Sequence, residues 1–310
     1  MGREFQLIQR HLALFGVAPQ VVLGVGDDAA VLAVPADTEV VVSTDTLLEG
    51  VHFPESTLPE YVATRAVAAA ASDLAAMAAE PLGMTLALTL PAADELWLHS
   101  FSEGLARVVR QLSLPLVGGA LTRGPLSVTV TVMGTVPGGR ALCRSGARPG
   151  DRLCVTHTLG DAAAGLALVL GELGPANQLT PDQALFLEDR FYQPTPRLDW
   201  AAWLRDHADA AIDISDGLLV DVGHMSDASG VSCRIDSTRL PLSSALLSFE
   251  KEQRLTWALG GGDDYELAIA VPPAVPLPPQ LTEVGEFSEG TGVQCDGTPA
   301  GVTGYDHFGS

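Results

Sequence analysis

The chain alternates between two spacings of apolar residues, one typical of amphipathic helices and the other of strands. Apolar residues three or four positions apart predict helices over 4–15, 57–79, 94–111, 162–170, 181–191, 198–205 and 218–229. β-Branched or alternating runs predict strands over 30–34, 40–42, 85–90, 116–117, 127–136, 210–214, 231–235 and 266–271. Because both kinds of element occur throughout, the pattern predicts an α/β (α+β) fold.

The clearest strand pattern, 127–136, alternates valine with threonine and ends at the turn Pro137-Gly138-Gly139-Arg140. Such a turn is the best candidate for a domain boundary. We therefore predict an N-terminal domain over 1–137, with a mixed sheet and helices, and a C-terminal α/β sandwich over 138–310. A chain of 310 residues that is 47% hydrophobic can fill two cores.

Charge narrows the range of partners. The formal net charge is -21, from 38 acidic and 17 basic residues. Nucleic acids and anionic lipids are bound by clustered cations, so this balance argues against both. An anionic substrate would need bound metal ions to approach the protein.

The chain shows no targeting or membrane signal. No long apolar segment follows the N-terminus, and Ser72 and Asp73 interrupt the alanine-rich run 67–79, so we expect neither a signal peptide nor a membrane span. The cysteines are widely spaced, at Cys143, Cys154, Cys233 and Cys295. Without a C-x-x-C pair they predict buried, reduced thiols in a cytoplasmic protein.

Carboxylates beside glycines or hydroxyls recur along the chain, beginning with Asp27-Asp28 in the turn 24–31. The other groups are Ser43-Thr44-Asp45-Thr46, Ser72-Asp73, Asp213-Ile214-Ser215-Asp216-Gly217 and Gly261-Gly262-Asp263-Asp264-Tyr265-Glu266. These hard oxygen ligands are the ones that magnesium prefers when it also holds phosphate. We interpret the groups as parts of one site.

Each group also has a plainer interpretation when it is taken alone. An Asp-Asp turn is commonly a solvated loop, and Asp73 could be a surface charge on its helix. His52 fits a hydrogen-bonded structural histidine as well as a substrate contact. Arg123 and Arg144 fit surface ion pairs as well as a phosphate clamp. Tyr305 could anchor the tail or stack on a cationic ring.

One class of phosphate site is excluded. Lys251 is the only lysine in the chain, and no G-x-x-x-x-G-K-[ST] motif occurs. A P-loop and the lysine of protein kinases are therefore both absent. Phosphoryl transfer mainly needs charge neutralisation and in-line positioning, which aspartates holding magnesium ions can provide.

Eight blocks, in order along the chain, closely resemble the bacterial thiamine-monophosphate kinase family. They are 24–30, 43–47, Gly50-Val51-His52-Phe53, 72–77, Thr122-Arg123-Gly124-Pro125-Leu126, 212–218, 261–267 and Gly304-Tyr305-Asp306-His307-Phe308. The family belongs to the superfamily of aminoimidazole-ribonucleotide synthetase and selenophosphate synthetase. The resemblance implies direct transfer of the ATP γ-phosphate to thiamine monophosphate, giving thiamine diphosphate without a covalent phosphoenzyme.

The resemblance also implies a homodimer, with the sheets of the N-terminal domains paired into a barrel-like core and several Mg²⁺ ions around the ATP phosphates. The implied metal contacts are Asp28, Ser43, Thr44, Asp45, Asp73, Asp213 and Asp216, of which the five aspartates would organise catalysis. The implied nucleotide contacts are Gly119, Arg144 and Ser215. The implied contacts with the thiamine substrate are His52, Asp263 and Tyr305.

One departure from the family pattern bears on activity. Where the family has Gly-Gly-Asp-Thr-Thr-Arg-Gly, this chain has Gly118-Gly119-Ala120-Leu121-Thr122-Arg123-Gly124. A metal-binding aspartate is thus replaced by Ala120, so we expect the fold and nucleotide pocket to persist while turnover falls. Smaller departures are Ala78 and His157, where the resemblance leads us to expect glycine.

Two alternatives stay open at this point. The chain could be another ATP-dependent synthetase of the superfamily, although selenophosphate synthetase would require a reactive cysteine and lysine near the N-terminus, where this chain has neither. It could also be a nucleotide- or thiamine-binding protein that has lost catalysis, an interpretation motivated by Ala120 and Leu121.

Overall fold

The computed structural model describes residues 2–55, 57–173 and 179–305, which form two compact units. The first unit comprises Met1–Leu74 and Ala79–Ala141, and the second comprises Ala75–Ala78 and Leu142–Ser310. The mixed α/β architecture predicted from the sequence is confirmed. The domain limits 1–137 and 138–310 stay a prediction.

The first unit contains three helices and six strands among its described residues. The helices are α1 (Arg3–His11), α2 (Pro59–Ala76, whose last residues group with the second unit) and α3 (Glu95–Leu112). The strands are β1 (Val21–Leu23), β2 (Val31–Leu32), β3 (Thr38–Leu48), β4 (Glu80–Leu90), β5 (Leu116–Arg123) and β6 (Ser127–Pro137). β1 and β2 pair around the acidic turn. The other four form a sheet of order β3-β6-β4-β5, in which β4 and β5 are parallel and the other neighbours antiparallel.

Local sequence accounts for the two long helices. α3 begins at Asp94, whose carboxylate accepts hydrogen bonds from the main-chain N–H groups of Leu96 and Trp97 at 2.9 and 3.1 Å. α2 is rich in alanine, and most of its alanines are fully buried. Small side chains let α2 and α3 approach closely, since a Cβ at Gly104 would lie 2.2 Å from the main-chain oxygen of Glu60.

The two faces of the four-stranded sheet differ sharply. On the covered face, Leu86, Leu88 and the valines at 128, 130 and 132 are almost completely buried. The opposite face, which we call the open face, is partly or fully exposed and carries Val40, Val42, Thr44, Thr46, Leu48, Thr85, Ala87, Thr89, Ala120, Thr122, Thr129, Thr131 and Met133. None of these side chains is charged, and threonine pairs such as Thr44–Thr131 hydrogen-bond across the strands.

The second unit is built on a six-stranded sheet of order β12-β9-β11-β7-β10-β8. Its strands are β7 (Arg152–Thr156), β8 (Ala210–Asp213), β9 (Ser232–Asp236), β10 (Leu267–Val271), β11 (Leu281–Ser288) and β12 (Gly292–Asp296). Its helices are α4 (Asp161–Val169), α5 (Pro181–Tyr192), α6 (Ala201–His207), α7 (Leu218–Ser229) and α8 (Lys251–Gly260). β12 is parallel to β9, and all other neighbours are antiparallel.

This sheet is apolar on both faces. Every residue of β10 is completely buried, as expected for a strand with a layer on each side. One face packs with α7 and α8 through residues such as Val222 and Leu259. The other face packs with Trp200 and Leu204 of the α6 region.

Four elements of the second unit were not among the predicted helices and strands, namely β7, β11, β12 and α8. β12 is an edge strand of five residues with only two apolar side chains, Val293 and Cys295, so its pattern is too short to identify a strand. α8 begins with Lys251-Glu252-Gln253-Arg254, which gives no apolar spacing over its first turn. β5 also continues to Arg123, well beyond the predicted 116–117.

The cysteine prediction was partly wrong. Cys154 and Cys233 are buried, and burial raises the pKa of each thiol to about 12. Cys143 is exposed and Cys295 is half-buried. Cys143 lies in the loop after the first unit rather than in a strand, so its side chain has no core to enter. Among the helices that the structure describes, none has the length and apolar character needed to span a membrane.

Candidate active site

In the first unit, strand alternation brings Ser43 together with Asp73. Residues 43, 45 and 47 of β3 point toward the covered face. There the Ser43 hydroxyl donates a hydrogen bond to Oδ2 of Asp73 on α2. The structure thus places a hydroxyl and a carboxylate, two hard oxygen donors, side by side.

Thr44 and Ala120 lie on the opposite side of the same sheet. The Thr44 hydroxyl is hydrogen-bonded to Thr131 at 2.9 Å on the open face. Ala120 is in register with Ala87, also on the open face. The structure therefore does not bring these two side chains to Ser43 and Asp73, and the metal contact of Thr44 stays a prediction.

Asp28 and His52 occupy turns of the first unit. Asp28 is exposed between β1 and β2, and its N–H donates to the Asp27 carboxylate at 2.8 Å. His52 closes the turn after β3, where its Nδ1 accepts from the Leu48 N–H at 3.0 Å. Because Nδ1 is an acceptor, the neutral ring carries its proton on Nε2. The bond to Leu48 agrees with the structural interpretation of His52.

Gly119 allows the main chain of β5 to approach β4 closely. Its φ of +149° lies in a region that L side chains rarely adopt, and a Cβ would lie 1.9 Å from the Leu86 oxygen. Any side chain at this position would displace the strand. A nucleotide contact from Gly119 would therefore come from its main chain.

In the second unit, the loop 213–217 between β8 and α7 is held through its main-chain groups. The N–H groups of Ser215, Asp216 and Gly217 all donate to Oδ2 of Asp221, at 3.1, 3.1 and 3.0 Å. Asp221 lies in the first turn of α7 and is 2% exposed. Burial, followed by the charge of Asp216, raises the pKa of Asp221 to about 7.

The carbonyl groups of the same loop are bound by the two other segments that the sequence singled out. The N–H of Asp263 donates to the Ser215 oxygen at 2.9 Å. The N–H of Tyr305 donates to the Asp216 oxygen at 3.0 Å. The structure thus brings Ser215 and Asp216 into direct main-chain contact with Asp263 and Tyr305, and Asp213 ends the strand that leads into the loop.

The Asp263–Tyr265 segment has an unusual backbone. Asp263 and Tyr265 have φ values of 69° and 50°, in the left-handed region, and such strain is found most often at functional sites. Between them, the buried Asp264 accepts from the Gly160 N–H at 2.6 Å, at the N-terminus of α4. Burial raises the pKa of Asp264 to about 8.

Glu266, the residue after Tyr265, is the centre of a buried ion cluster with Arg190, Arg197 and Thr156, which we call the Glu266 cluster. Glu266 is completely buried and accepts from Arg190 at 2.9 Å, from Nε of Arg197 at 2.6 Å and from Thr156 at 2.5 Å. Burial lowers the pKa of Arg190, but the charges of Glu266 and Asp264 outweigh it and raise the pKa overall. The cluster joins α5, β7 and β10 beneath the strained segment.

Arg144 is not brought to the loop 213–217 within this unit. Its carbonyl oxygen accepts from the Ser229 hydroxyl at 3.0 Å, at the C-terminal end of α7. The loop precedes the N-terminal end of the same helix, about 18 Å away for a helix of this length. A nucleotide contact from Arg144 stays a prediction.

The donors present fit magnesium as a partner of phosphate. No group of three or more histidine, cysteine, aspartate or glutamate side chains is arranged around a metal position within 2–55, 57–173 and 179–305. Magnesium usually keeps several waters and binds through one or two carboxylates together with substrate phosphates. The Ser43–Asp73 pair offers one such partial ligand set.

Two residues important to this site were missed by the sequence reasoning. Asp221 and Asp264 hold the main chain of the loops that carry the predicted contacts. The sequence indicated the role of Asp221 only weakly, because an aspartate in the first turn of a helix normally only complements the helix dipole. Asp264 lay beside Asp263 in the same block, and sequence alone does not tell which carboxylate points inward.

The chain matches two family models along most of its length. The AIR synthase related protein N-terminal domain matches residues 26–136, and the AIR synthase related protein C-terminal domain matches residues 148–296. The fold and these matches define an AIR synthase related protein of two domains.

Individual relatives narrow the family further. The thiamine-monophosphate kinase of Escherichia coli (strain K12) is 44% identical over 98% of each chain. The crystal structure of thiamine-monophosphate kinase from Stenotrophomonas maltophilia K279a has a TM-score of 0.82 at 40% identity, covering 96% of each chain. A structure described as AaThiL complexed with AMPPCP and TMP has a TM-score of 0.81 at 33% identity, over 98% of this chain and 96% of that one. The chain belongs to the thiamine-monophosphate kinase family.

Proposed function

We propose that the protein transfers the γ-phosphate of ATP to thiamine monophosphate and forms thiamine diphosphate. The observation that carries this proposal is the 44% identity to a thiamine-monophosphate kinase over 98% of both chains. The AaThiL structure, with AMPPCP and TMP bound, supports the same pair of substrates, since AMPPCP is an ATP analogue. In the reaction, an oxygen of the substrate phosphate attacks the γ-phosphorus in line, and ADP leaves.

Magnesium is the proposed cofactor. In the first unit, Asp28, Ser43, Thr44, Asp45 and Asp73 would hold it, and in the second unit Asp213 and Asp216 would do so. When bound, magnesium neutralises the phosphate oxygens of the nucleotide. The Ser43–Asp73 hydrogen bond supports this assignment, because it fixes the carboxylate next to a second oxygen donor. No lysine is available for this purpose near either group, since Lys251 is the only one in the chain.

We assign the nucleotide to Gly119, Arg144 and Ser215, and thiamine monophosphate to His52, Asp263 and Tyr305. Tyr305 is 47% exposed, and an aromatic ring is a suitable partner for the flat, cationic thiazolium. The carboxylate of Asp263 accepts from the Tyr265 hydroxyl at 3.1 Å, which fixes its direction. A carboxylate and an aromatic ring are the expected partners for this cation.

We also propose that the protein is a homodimer, formed through the open face and β3, and that it works in the cytoplasm. The thirteen residues named for the open face are all uncharged, in a protein with a net charge of -21. Glu80, paired with Thr135 at one end of the sheet, is a charged residue on the same side. Val40 and Val42 on this face are 48% and 59% exposed. A largely uncharged face of valines and threonines on so acidic a protein supports its burial against a second copy.

Finally, we propose that Ala120 lowers turnover. The family pattern has aspartate at this position, and one anionic ligand is therefore missing. Since position 120 faces away from Ser43 and Asp73, a carboxylate there would serve a different cation from theirs.

A single assay tests the proposed kinase activity and the role of Ala120. The wild type and Ala120→Asp are given ATP, thiamine monophosphate and increasing Mg²⁺, and thiamine diphosphate is measured. We expect product from the wild type and roughly tenfold or more from the variant, with Ala120→Asn as an uncharged control of similar size that gives no gain. Absence of product from both the wild type and Ala120→Asp would overturn the kinase. Product at equal rates would refute the role of Ala120.

A further inference from the structure

The loop that carries Ser215 and Asp216 has almost no main-chain freedom left. Its three successive N–H groups, at 215, 216 and 217, converge on one oxygen of Asp221. Its carbonyl groups at 214, 215 and 216 accept from Tyr265, Asp263 and Tyr305. The main chain of the loop is therefore fixed, and the side chains of Ser215 and Asp216 extend from it.

The arrangement around Asp221 is more than an ordinary helix cap. A capping side chain usually satisfies N–H groups of its own helix two or three residues further on. Asp221 instead reaches back from inside α7 to three residues that precede the helix. Only glycine fits this turn at position 217. Its φ of +118° is rarely adopted by residues with a side chain, and a Cβ there would lie 2.9 Å from the main-chain carbonyl carbon of Gly260.

We propose that Asp221 is a positioning residue for nucleotide and magnesium binding, acting through the main chain of Ser215, Asp216 and Gly217. This inference rests on the proposed function for the identity of the bound groups. Bonds from three N–H groups to one buried carboxyl oxygen fix the main chain from which the Ser215 and Asp216 side chains extend. Loss of Asp221 leaves three N–H groups, one buried and two partly buried, without this acceptor and frees the loop to rotate.

The main test compares Asp221→Ala and Asp221→Asn with the wild type. The concentration of Mg²⁺ needed for half-maximal thiamine diphosphate formation is measured, together with the affinity for AMPPCP in the presence of Mg²⁺ by calorimetry. We expect Asp221→Ala to raise the Mg²⁺ requirement roughly 10- to 100-fold, the usual range for residues that orient metal ligands. Asp221→Asn keeps an acceptor oxygen of the same size, so it should recover most of the loss.

The matched control is Asp151, another buried aspartate of the second unit. It is 4% exposed, and its carboxylate accepts from the Arg148 N–H at 2.8 Å, away from the loop. Asp151→Ala should lower thermal stability as Asp221→Ala does, but should leave the Mg²⁺ requirement within twofold of the wild type. Equal Mg²⁺ requirements in Asp221→Ala and the wild type would overturn the inference. If Asp221→Ala fails to fold, Asp221→Asn decides by the same measurements, with a Mg²⁺ requirement a few-fold above the wild type as the supporting result.

Hydrogen exchange distinguishes this inference from the kinase proposal. The amides of 215–217 should exchange at least tenfold faster in Asp221→Ala than in Asp151→Ala. A wild type that binds AMPPCP but makes no thiamine diphosphate would refute the proposed kinase activity. The AMPPCP affinities of the wild type and Asp221→Ala would still test the role of Asp221. A wild type that makes product, with unchanged AMPPCP affinity in Asp221→Ala, would refute only the role of Asp221.

Discussion

Two residues that depart from the family pattern have a left-handed backbone conformation, and each departure affects stability at its own position. Ala78 and His157 have φ values of 56° and 43°, where the resemblance leads us to expect glycine. A non-glycine residue in this region costs about 1–2 kcal/mol. Ala78 is completely buried in the core of the second unit, so its methyl group recovers part of this cost. His157 is exposed and recovers little.

We therefore predict that His157→Gly stabilises the protein. Relief of the backbone strain exceeds the entropy that glycine adds to the unfolded chain, for a net gain of about 0.5–1 kcal/mol. The free energy of unfolding is measured by denaturant titration. His157→Ala keeps the Cβ and serves as the control with no gain. A His157→Gly protein no more stable than His157→Ala would contradict the role of φ.

At the scale of residues, the sequence locates acidic groups along the chain but does not give their geometry. The groups at 43–45, 213–216 and 263 could be singled out because each places a carboxylate beside hydroxyls or glycines. The sequence could not show which side of the sheet each residue faces, because Ser43 and Thr44 are both polar and differ only in their position along the strand. The convergence of three N–H groups on Asp221 depends on the turn at Gly217, which no spacing rule describes.

Among the elements of the second unit, the Glu266 cluster links α5 and β7 to β10. We predict that Glu266→Gln destabilises this unit by about 3–5 kcal/mol, because two buried guanidinium groups then lose their counter-charge. Denaturant unfolding followed by the fluorescence of Trp200, Trp203 and Trp257 measures the loss.

Glu283 supplies the matched control for Glu266. It pairs with Arg239 at 2.9 Å and Arg152 at 3.6 Å, but its side chain is 28% exposed. Glu283→Gln should therefore cost less than about 1 kcal/mol, as is usual for ion pairs in contact with water. Similar losses for the two substitutions would show that the Glu266 cluster does not depend on its buried charge.

The elements themselves were predictable where periodicity was strong. The valine-threonine run of β6 and the amphipathic α3 lie close to their predicted limits, since each pattern extends over several turns or pairs. β12 and α8 were missed because their stability comes from neighbours. β12 adds in parallel to β9, and α8 packs through Leu255, Ala258 and Leu259 after a fully polar first turn.

At the scale of the whole molecule, the open face leads to a prediction about assembly. We expect Val42→Lys to convert the proposed dimer into a monomer, because a lysine there would place a charge in an apolar interface. Sedimentation equilibrium over a range of protein concentrations measures the change. Leu96→Lys is the control, since Leu96 is 83% exposed on α3 and lies outside the open face. A Val42→Lys protein with the mass of the wild type would contradict the proposed interface.

The position of β3 at the edge of its sheet has a consequence beyond activity. An edge strand presents a row of N–H and C=O groups to which foreign chains can add, and natural proteins usually guard such edges with lysine or proline. β3 contains neither residue along its eleven positions, and its valines and threonines favour extended structure. Subunits of the proposed dimer, once separated by dilution or by mutation, would therefore be prone to fibril-like aggregation, and the proposed pairing would also protect the protein against insolubility.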